Sequence, residues 1–237
     1  MLVNFQNFDA TYKPRVVSDF LFEKDADRDF LNNIVTGTLP FPSSNKYGLI
    51  FEGHVGIGKS TLALALPDMM EAAFNGGSAN WCKVYNIKSG LNGAPLFEDI
   101  DKQLEKHHAF NRCRYIILNE VDRLTKASMG DLKSLMDTVA KSTVFIMTTN
   151  NIKAIDVAVA SRSYQLSFNK ILPSAYLPLL KRVMSDYQVD IYTDQDLERL
   201  VRLKSGDVRN VLSGIQQMIE AYFAARPHLT PPVLPTP

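Results

Sequence analysis

The sequence has few cysteines and no long apolar run, features that would assign it to a disulfide-rich, zinc-binding or membrane class of protein. It has two cysteines in 237 residues, Cys82 and Cys113, which lie far apart in or beside apolar strand-like runs. A disulfide framework or a zinc site is therefore not expected. No stretch approaches the roughly 18 apolar residues of a membrane span, and the N-terminus lacks a basic start followed by an apolar core. We therefore expect a cytoplasmic protein without a membrane partner.

The sequence also lacks an excess of charge of either sign. Lys and Arg number 26, Asp and Glu number 25, and the formal net charge is +1. The field of the whole molecule is therefore close to neutral, so a nucleic-acid contact must depend on a local basic patch. The length fits one large domain or a medium domain with a small companion.

What the sequence does contain is an alternation of short apolar runs with longer segments of helical period. The clearest helix follows the N-cap candidate Thr125 and has apolar residues at positions i, i+3, i+4 and i+7. Strands that alternate with helices predict an α/β fold with a parallel five-stranded sheet flanked by helices, over residues 1–168. The predicted strands are 47–51, 82–87, 114–118, 143–149 and 163–168.

The strand pattern ends near Phe168, and apolar stripes at helical spacing replace it. Three amphipathic helices are predicted, and Thr193 and Asp207 mark the starts of the second and third. We therefore assign residues 169–225 to a small three-helix lid domain. The last twelve residues, 226–237, carry five prolines, which exclude a helix or a central strand and predict a tail or linker.

The segment "GHVGIGKST", residues 53–61, lies between a predicted strand and a predicted helix. This is the pattern and the context of a phosphate-binding loop, or P-loop. Its glycines let backbone N–H groups point at phosphates, at the positive end of a helix dipole. Lys59 is predicted to reach the β and γ phosphates, and the Ser60 hydroxyl to take a Mg²⁺ position. The predicted phosphate contacts are Gly53, His54, Val55, Gly56, Ile57, Gly58, Lys59, Ser60 and Thr61.

A P-loop site that hydrolyses a nucleotide needs a second strand ending in two acids. The first acid holds Mg²⁺ through its water shell, and the second is the general base. In "RYIILNEVDRL", residues 114–124, Glu120 is at the second position and Asn119 at the first. An amide keeps an oxygen acceptor but lacks the negative charge. We therefore expect weakened Mg²⁺ binding at Ser60 and Asn119 and a retained base.

In their order and spacing, these segments resemble the AAA+ ATPases, and specifically the small ATPase subunits of DNA-polymerase clamp loaders such as replication factor C and the phage loaders. The resemblance runs from about residue 10 to residue 222. It implies an ATPase whose cofactors are ATP and Mg²⁺. "TYKPRVVSDFLF" resembles the family's N-terminal segment, which implies that Tyr12 to Pro14, Phe20 and Leu21 lie against the adenine.

Three further segments resemble the family's catalytic positions. "TTNN" resembles the sensor-1 segment, which implies that Asn150 contacts the γ-phosphate and the attacking water. "ASRS" resembles the motif of the arginine finger, which implies that Arg162 acts on ATP bound to a neighbouring subunit. "SGDVRNVL" resembles the sensor-2 helix, which implies that Arg209 reaches the γ-phosphate from the lid.

The sequence departs from the family pattern in three places. Asn119 replaces the first acid, and Ser163 stands where the finger motif usually has cysteine. The family's small subunits also continue into a helical collar, whereas this sequence ends in the proline-rich segment. Either assembly depends on the AAA+ modules alone, or the chain is a fragment or a reduced relative.

The resemblance further implies self or homologous subunits as partners in a ring or arc, in a bacterial or phage-infected cell. DNA would be contacted through phosphates at helix starts, for which Lys88, Ser89, Arg123 and Lys126 are candidates.

The leading hypothesis for function is an ATP-driven switch in DNA replication that loads or remodels a sliding clamp or a similar partner. A nucleotide-bound scaffold with little hydrolysis and a helicase loader are the alternatives. A P-loop kinase is disfavoured because Arg209 and "ASRS" would have no role in it.

Overall fold

A computed structural model describes residue 3 and residues 5–88, 92–105, 113–140 and 142–234. Its strands are β1 (Gly48–Glu52), β2 (Cys82–Asn86), β3 (Arg114–Asn119), β4 (Thr143–Thr149) and β5 (Ser163–Ser167). Its α-helices are α1 (Phe8–Thr11), α2 (Asp25–Val35), α3 (Lys59–Asn75), α4 (Ala94–Leu104), α5 (Lys126–Val139), α6 (Val157–Ser161), α7 (Leu177–Asp186), α8 (Asp194–Leu203) and α9 (Val208–Ala224). Among the described residues, no helix is long and apolar enough to cross a membrane.

The five strands form one parallel sheet in the order β2-β3-β4-β1-β5. The predicted parallel five-stranded sheet is confirmed. β4 is buried along its whole length, and β3 is buried after its first residue, which explains their unbroken apolar sequences. Because all strands run the same way, the segments that follow β1, β3 and β4 meet at the carboxyl ends of the strands, where α/β proteins bind ligands.

Helices cover both faces of the sheet. One apolar cluster joins the sheet to α2 and α3 through side chains such as Leu31 and Leu66. The other joins it to α4 and α5 through side chains such as Phe97 and Leu132. α5 begins as predicted, because the side chain of Thr125 accepts a hydrogen bond from the Ser128 backbone N–H at 3.2 Å. α2, which precedes the first strand, is not among the segments predicted from sequence.

The lid consists of α7, α8 and α9, which enclose a third apolar cluster. The side chains of Thr193 and Asp207 cap α8 and α9, in agreement with the predicted helix starts. Phe8 and Tyr12 also pack in this cluster, so the N-terminal segment contacts the lid. Residues 226–234 contain no helix or strand, yet Leu234 is buried in the same cluster. Lack of regular structure does not prevent an apolar side chain from packing.

Candidate nucleotide-binding site

The loop between β1 and α3 is shaped by glycines in the left-handed region. Gly56 has φ of 87° and Gly58 has φ of 95°, values that L side chains adopt only at a cost. Gly58 is the N-cap of α3, and Lys59 is its first residue. The loop therefore lies at the positive end of a 17-residue helix, where unpaired backbone N–H groups favour an anion.

Lys59 is held inside this loop. Its side chain is buried, at 7 % exposure, and its Nζ donates to the backbone oxygens of Gly53 at 2.6 Å and His54 at 2.7 Å. Nζ also donates to Asn150 Oδ1 at 3.0 Å. Burial lowers the pKa of Lys59, while the charges of Asp122 and Glu120 oppose that shift. A phosphate group would give this ammonium a stronger acceptor than the neutral oxygens that it contacts now.

A cavity of about 940 Å³ opens over the loop, between the carboxyl ends of the strands and the lid. This volume is in the range of small-molecule and cofactor sites. Most of the predicted nucleotide and catalytic residues line it, whereas Gly53 and His54 do not and instead accept from Lys59. The predicted residues that line the cavity are Tyr12, Pro14, Phe20, Leu21, Val55, Gly56, Ile57, Gly58, Lys59, Ser60, Thr61, Glu120, Asn150 and Arg209.

Apart from Arg209, the lining residues from the lid were not predicted from sequence. Leu179 and Leu212 contribute apolar surface, and Arg182 lies 5.6 Å from the ring centroid of Tyr12. The Tyr12 hydroxyl donates to Asp186 at 2.9 Å, and burial together with this carboxylate raises the pKa of Tyr12. Helix periodicity alone could have found the two leucines only if the N-terminal segment had already been placed against the lid.

Asn119 is built into a chain of hydrogen bonds behind the cavity. It is 7 % exposed, and its Nδ2 donates to Asn86 Oδ1 at 3.0 Å. Its Oδ1 accepts from Thr148 Oγ1 at 3.1 Å, and Thr148 Oγ1 in turn accepts from the Glu120 backbone N–H at 3.1 Å. Asn86 and Thr148 thus fix the amide. Asn119 does not line the cavity, in contrast to Glu120.

Glu120 follows β3 in a left-handed conformation, with φ of 62° and ψ of 47°. Non-glycine residues in this region are uncommon and concentrate at functional sites. The carboxylate lies 2.9 Å from Arg123 Nε, and the two side chains are 42 % and 57 % exposed. Asp122 points elsewhere, because its Oδ1 accepts from Thr149 Oγ1 at 2.9 Å and so ties β3 to β4.

Arg162 lies at the amino ends of the strands, whereas the loop lies at their carboxyl ends. It is the C-cap of α6, and its backbone oxygen accepts from the Tyr47 and Gly48 N–H groups at the amino end of β1. The phosphate-binding loop follows the carboxyl end of the same five-residue strand, about 16 Å away at 3.2–3.4 Å per residue. Arg162 is not among the residues that line the cavity. Its guanidinium is paired with Asp137.

Arg209 lies in the first turn of α9 at the cavity, and its side chain is 75 % exposed. Its Nε is 4.0 Å from Asp207. The start of α9 rests directly on the phosphate-binding loop. The Val208 N–H donates to the Gly56 oxygen at 3.0 Å, and a Cβ at Gly56 would overlap the Asp207 carboxylate. The lid and the loop are therefore in contact at one point beside the cavity.

Two of the candidate DNA contacts, Arg123 and Lys126, lie at the start of α5. Lys126 is the exposed first residue of that helix, and Lys88 is exposed just after β2. Asn92 contacts the segment around Arg123 and Lys126, because its backbone oxygen accepts from Ser128 Oγ at 2.8 Å and its Nδ2 donates to the Arg123 oxygen at 3.4 Å. Ser89 lies outside the described residues.

The geometry defines a class of site. A glycine-rich loop follows β1 and leads into a helix N-terminus, Asn150 follows the neighbouring strand β4, and Glu120 follows β3 beyond it. Together with the helical lid above the cavity, this arrangement is a P-loop nucleotide site. A family model described as "ATPase family associated with various cellular activities (AAA)" matches residues 49–169. The chain belongs to this family of ATPases.

Curated relatives resemble the chain over most of its length. Replication factor C small subunit 2 of Pyrobaculum islandicum is 26% identical over 205 residues, covering 83% of this chain and 62% of that protein. Replication factor C subunit 5 of Homo sapiens is 29% identical over 213 residues, with 89% and 59% covered. DNA polymerase III subunit gamma/tau of Mycoplasma pneumoniae is 26% identical, with 87% and 31% covered.

The chain thus spans about three-fifths of the length of these two replication factor C relatives. Among solved structures, the Thermotoga maritima RuvB Holliday junction branch migration motor matches with a TM-score of 0.66 at 16% identity, covering 91% of this chain and 67% of that one. This likeness shows the fold. The predicted resemblance to clamp-loader ATPase subunits is confirmed by the relatives, and the predicted fold class by the RuvB structure.

Proposed function

We propose that the chain is an ATP-driven switch in DNA replication that works as a clamp-loader-like subunit, with an active site completed by its neighbour. The observation that carries this proposal is that Arg162 is separated from the other proposed catalytic residues. Glu120, Asn150 and Arg209 line the same cavity as the phosphate-binding loop, whereas Arg162 lies at the opposite end of the sheet. In a ring or arc of self or homologous subunits, the end with Arg162 would face the next subunit's cavity.

The residues at the cavity fit ATP. The loop from Val55 to Thr61 would offer backbone donors to the phosphates, and the positive φ values at Gly56 and Gly58 disfavour side chains there. Lys59 would move from the Gly53 and His54 oxygens to the β and γ phosphates. The apolar surface beside Tyr12, Pro14, Phe20 and Leu21 suits a purine base.

Mg²⁺ would be held by the exposed Ser60 hydroxyl and, through water, by Asn119. When bound, the ion supplies positive charge that neutralises the phosphate oxygens. Glu120 would accept the proton of the attacking water, which Asn150 would orient. Glu120 must leave Arg123 to do so, and the exposure of both side chains makes that exchange inexpensive.

DNA and a ring-shaped replication partner complete the proposal. Lys88, Arg123 and Lys126 would contact phosphates near the start of α5, without reading bases. The names of the relatives, replication factor C and DNA polymerase III subunits, support a role in replication. A sliding clamp is the partner that fits such a role, and a helicase would be the partner of the related helicase-loader alternative.

A nucleotide-bound scaffold is the second candidate, and two observations favour it. Asn119 lacks the charge of an acid and is fixed by Asn86 and Thr148, and Glu120 is paired with Arg123. Such a protein would bind ATP and its partners but turn over little nucleotide.

The proposal is tested by steady-state ATP turnover of the assembled protein with and without primer–template DNA, for the wild type and Arg162→Ala. We expect DNA to stimulate turnover and Arg162→Ala to lower it by about 10³-fold or more, because the finger stabilises the transition state in trans. Binding of ATP to Arg162→Ala should equal that of the wild type. Turnover unaffected by Arg162→Ala in a defined assembly would refute the proposal, and a wild type without turnover would support the scaffold.

A further inference from the structure

The guanidinium of Arg162 is held in one orientation by its own subunit. Nε and Nη2 donate to the two carboxylate oxygens of Asp137, the second at 2.9 Å, in a bidentate pair. Nη1 donates to the Ala158 oxygen at 2.8 Å. The backbone of Arg162 is anchored by the Tyr47 N–H, which donates to its oxygen at 2.8 Å. Backbone and side chain are therefore both fixed before any partner binds.

The donor count shows that this arrangement leaves the arginine able to bind an anion. A guanidinium has five N–H groups in a rigid plane. Three of them donate to Asp137 and Ala158. In the part of the chain that the structure describes, the remaining two, one on each terminal nitrogen, donate to no protein acceptor. Asp137 thus occupies one edge of the guanidinium and leaves further donors for an outside ligand.

Asp137 is itself held in place. Lys133, one turn earlier on α5, lies 3.0 Å from its Oδ2. Hydrogen bonds from Arg162 and Lys133 hold the pKa of Asp137 below its ordinary value of 3.8, so it remains a carboxylate at neutral pH. α5 is packed on the sheet through Leu132, Leu135 and Met136. The aspartate therefore stands on a rigid element, which a positioning group requires.

We infer that Asp137 is a positioning residue that orients Arg162 so that its remaining N–H groups meet the phosphates of ATP bound to the neighbouring subunit. The inference rests on the proposed action of Arg162 in trans. A long side chain that is ordered in advance loses less conformational freedom when the joint site forms, and small errors in its placement reduce the rate strongly. Asp137 does not touch the nucleotide and acts through Arg162.

The test uses mixtures of full-length subunits at a concentration where assembly is complete, with MgATP and primer–template DNA. One subunit carries Arg162→Ala, which keeps its own site but lacks the finger. The other carries Lys59→Ala, which keeps the finger but lacks the phosphate-binding ammonium. Turnover in the mixture then requires the finger of the second subunit to act at the site of the first.

Asp137→Asn is then added to the subunit that keeps the finger. We expect kcat of the mixture to fall roughly tenfold, with KM for ATP little changed because ATP is bound by the other subunit. Asp131→Asn in the same subunit is the matched control, since Asp131 is an exposed carboxylate on α5 with no ion pair among the described residues. It should keep the kcat of the parent mixture.

Placing Asp137→Asn in the Arg162→Ala subunit measures any effect that does not pass through the finger. The inference is supported if the loss is at least severalfold larger in the finger-bearing subunit. It is overturned if the losses are equal, if the finger-bearing subunit shows no loss, or if kcat rises, which would make Asp137 a latch. A parent mixture without turnover would overturn the trans action of Arg162, and the inference with it.

Discussion

At the scale of single residues, the proposed Mg²⁺ site depends most on Asn119. The amide has the size of the usual acid, but it is uncharged and its two polar atoms already contact Asn86 and Thr148. The contact with Thr148 would suit an aspartate equally well, since a hydroxyl can donate to either group. The contact with Asn86 would not, unless the Asn86 amide turned over to present its NH₂ group. The local structure is therefore compatible with an acid at this position.

Asn119→Asp should strengthen the dependence of turnover on Mg²⁺. A full negative charge close to a divalent cation should lower the Mg²⁺ concentration for half-maximal turnover by roughly tenfold or more. The measurement is ATP turnover against Mg²⁺ concentration at fixed ATP. Asn33→Asp adds the same charge on an exposed position of α2 and should leave the midpoint where it is. An unchanged midpoint in Asn119→Asp would show that position 119 does not act on the metal.

Arg123→Ala should raise turnover in the absence of DNA, because it releases Glu120 from its ion pair. Both side chains are substantially exposed, so the pair contributes at most about 1 kcal/mol, which limits the increase to about fivefold. The measurement is basal ATP turnover, with Arg199→Ala on the lid as a control that removes another exposed cation. A fall in basal turnover would indicate instead that Arg123 supports the active position of Glu120.

At the scale of elements, the contact between α9 and the phosphate-binding loop links the lid to the cavity. The Asp207 side chain caps α9 and also lies against Gly56, and the Val208 N–H donates to the same glycine. We therefore expect a shift of the loop around phosphates to move the first turn of α9. That turn carries Arg209.

Gly56→Ala and Gly58→Ala should separate the two reasons for glycine in this loop. Both residues have positive φ, so each substitution should cost about 1–2 kcal/mol in backbone strain. Gly56→Ala also drives a Cβ into Asp207, whereas no atom of the described residues lies within 4 Å of a Cβ at Gly58. We expect the free energy of unfolding to fall by about 1 kcal/mol more in Gly56→Ala than in Gly58→Ala. The measurement is urea unfolding without nucleotide. Equal losses of unfolding free energy in the two variants would mean that the contact between Asp207 and Gly56 rearranges at no cost.

Helices and strands could be predicted from the sequence where a single local pattern determined them. Four strands were found as short apolar runs and the fifth from its alternation of apolar and polar residues. The lid helices were found because each has a single apolar stripe, with a capping residue at the starts of α8 and α9. α2 was not found, although it covers the sheet with Leu31 and Ile34. The contacts of Phe8, Tyr12 and Leu234 with the lid join distant parts of the chain, and no local pattern encodes them.

At the scale of the whole molecule, the proposal that a subunit needs a neighbour depends on the two ends of the sheet. Strand polarity brings the loop, Glu120 and Asn150 to one end, and it places Arg162 at the start of β5 on the other. The motifs supplied these residues from the sequence, but not the chain from Asn86 to Thr148 or the pairing of Arg162 with Asp137. Those contacts depend on side-chain orientation across separate elements, which spacing along the sequence does not determine.

We propose above all that this site hydrolyses ATP with Glu120 as the base despite the amide at position 119. The most direct measurement compares ATP turnover by the wild type and Glu120→Gln in the assembled protein with primer–template DNA, alongside ATP binding by both. We expect Glu120→Gln to lower turnover by about 10²- to 10⁴-fold while ATP binding persists. Equal turnover by the two proteins would contradict the proposal.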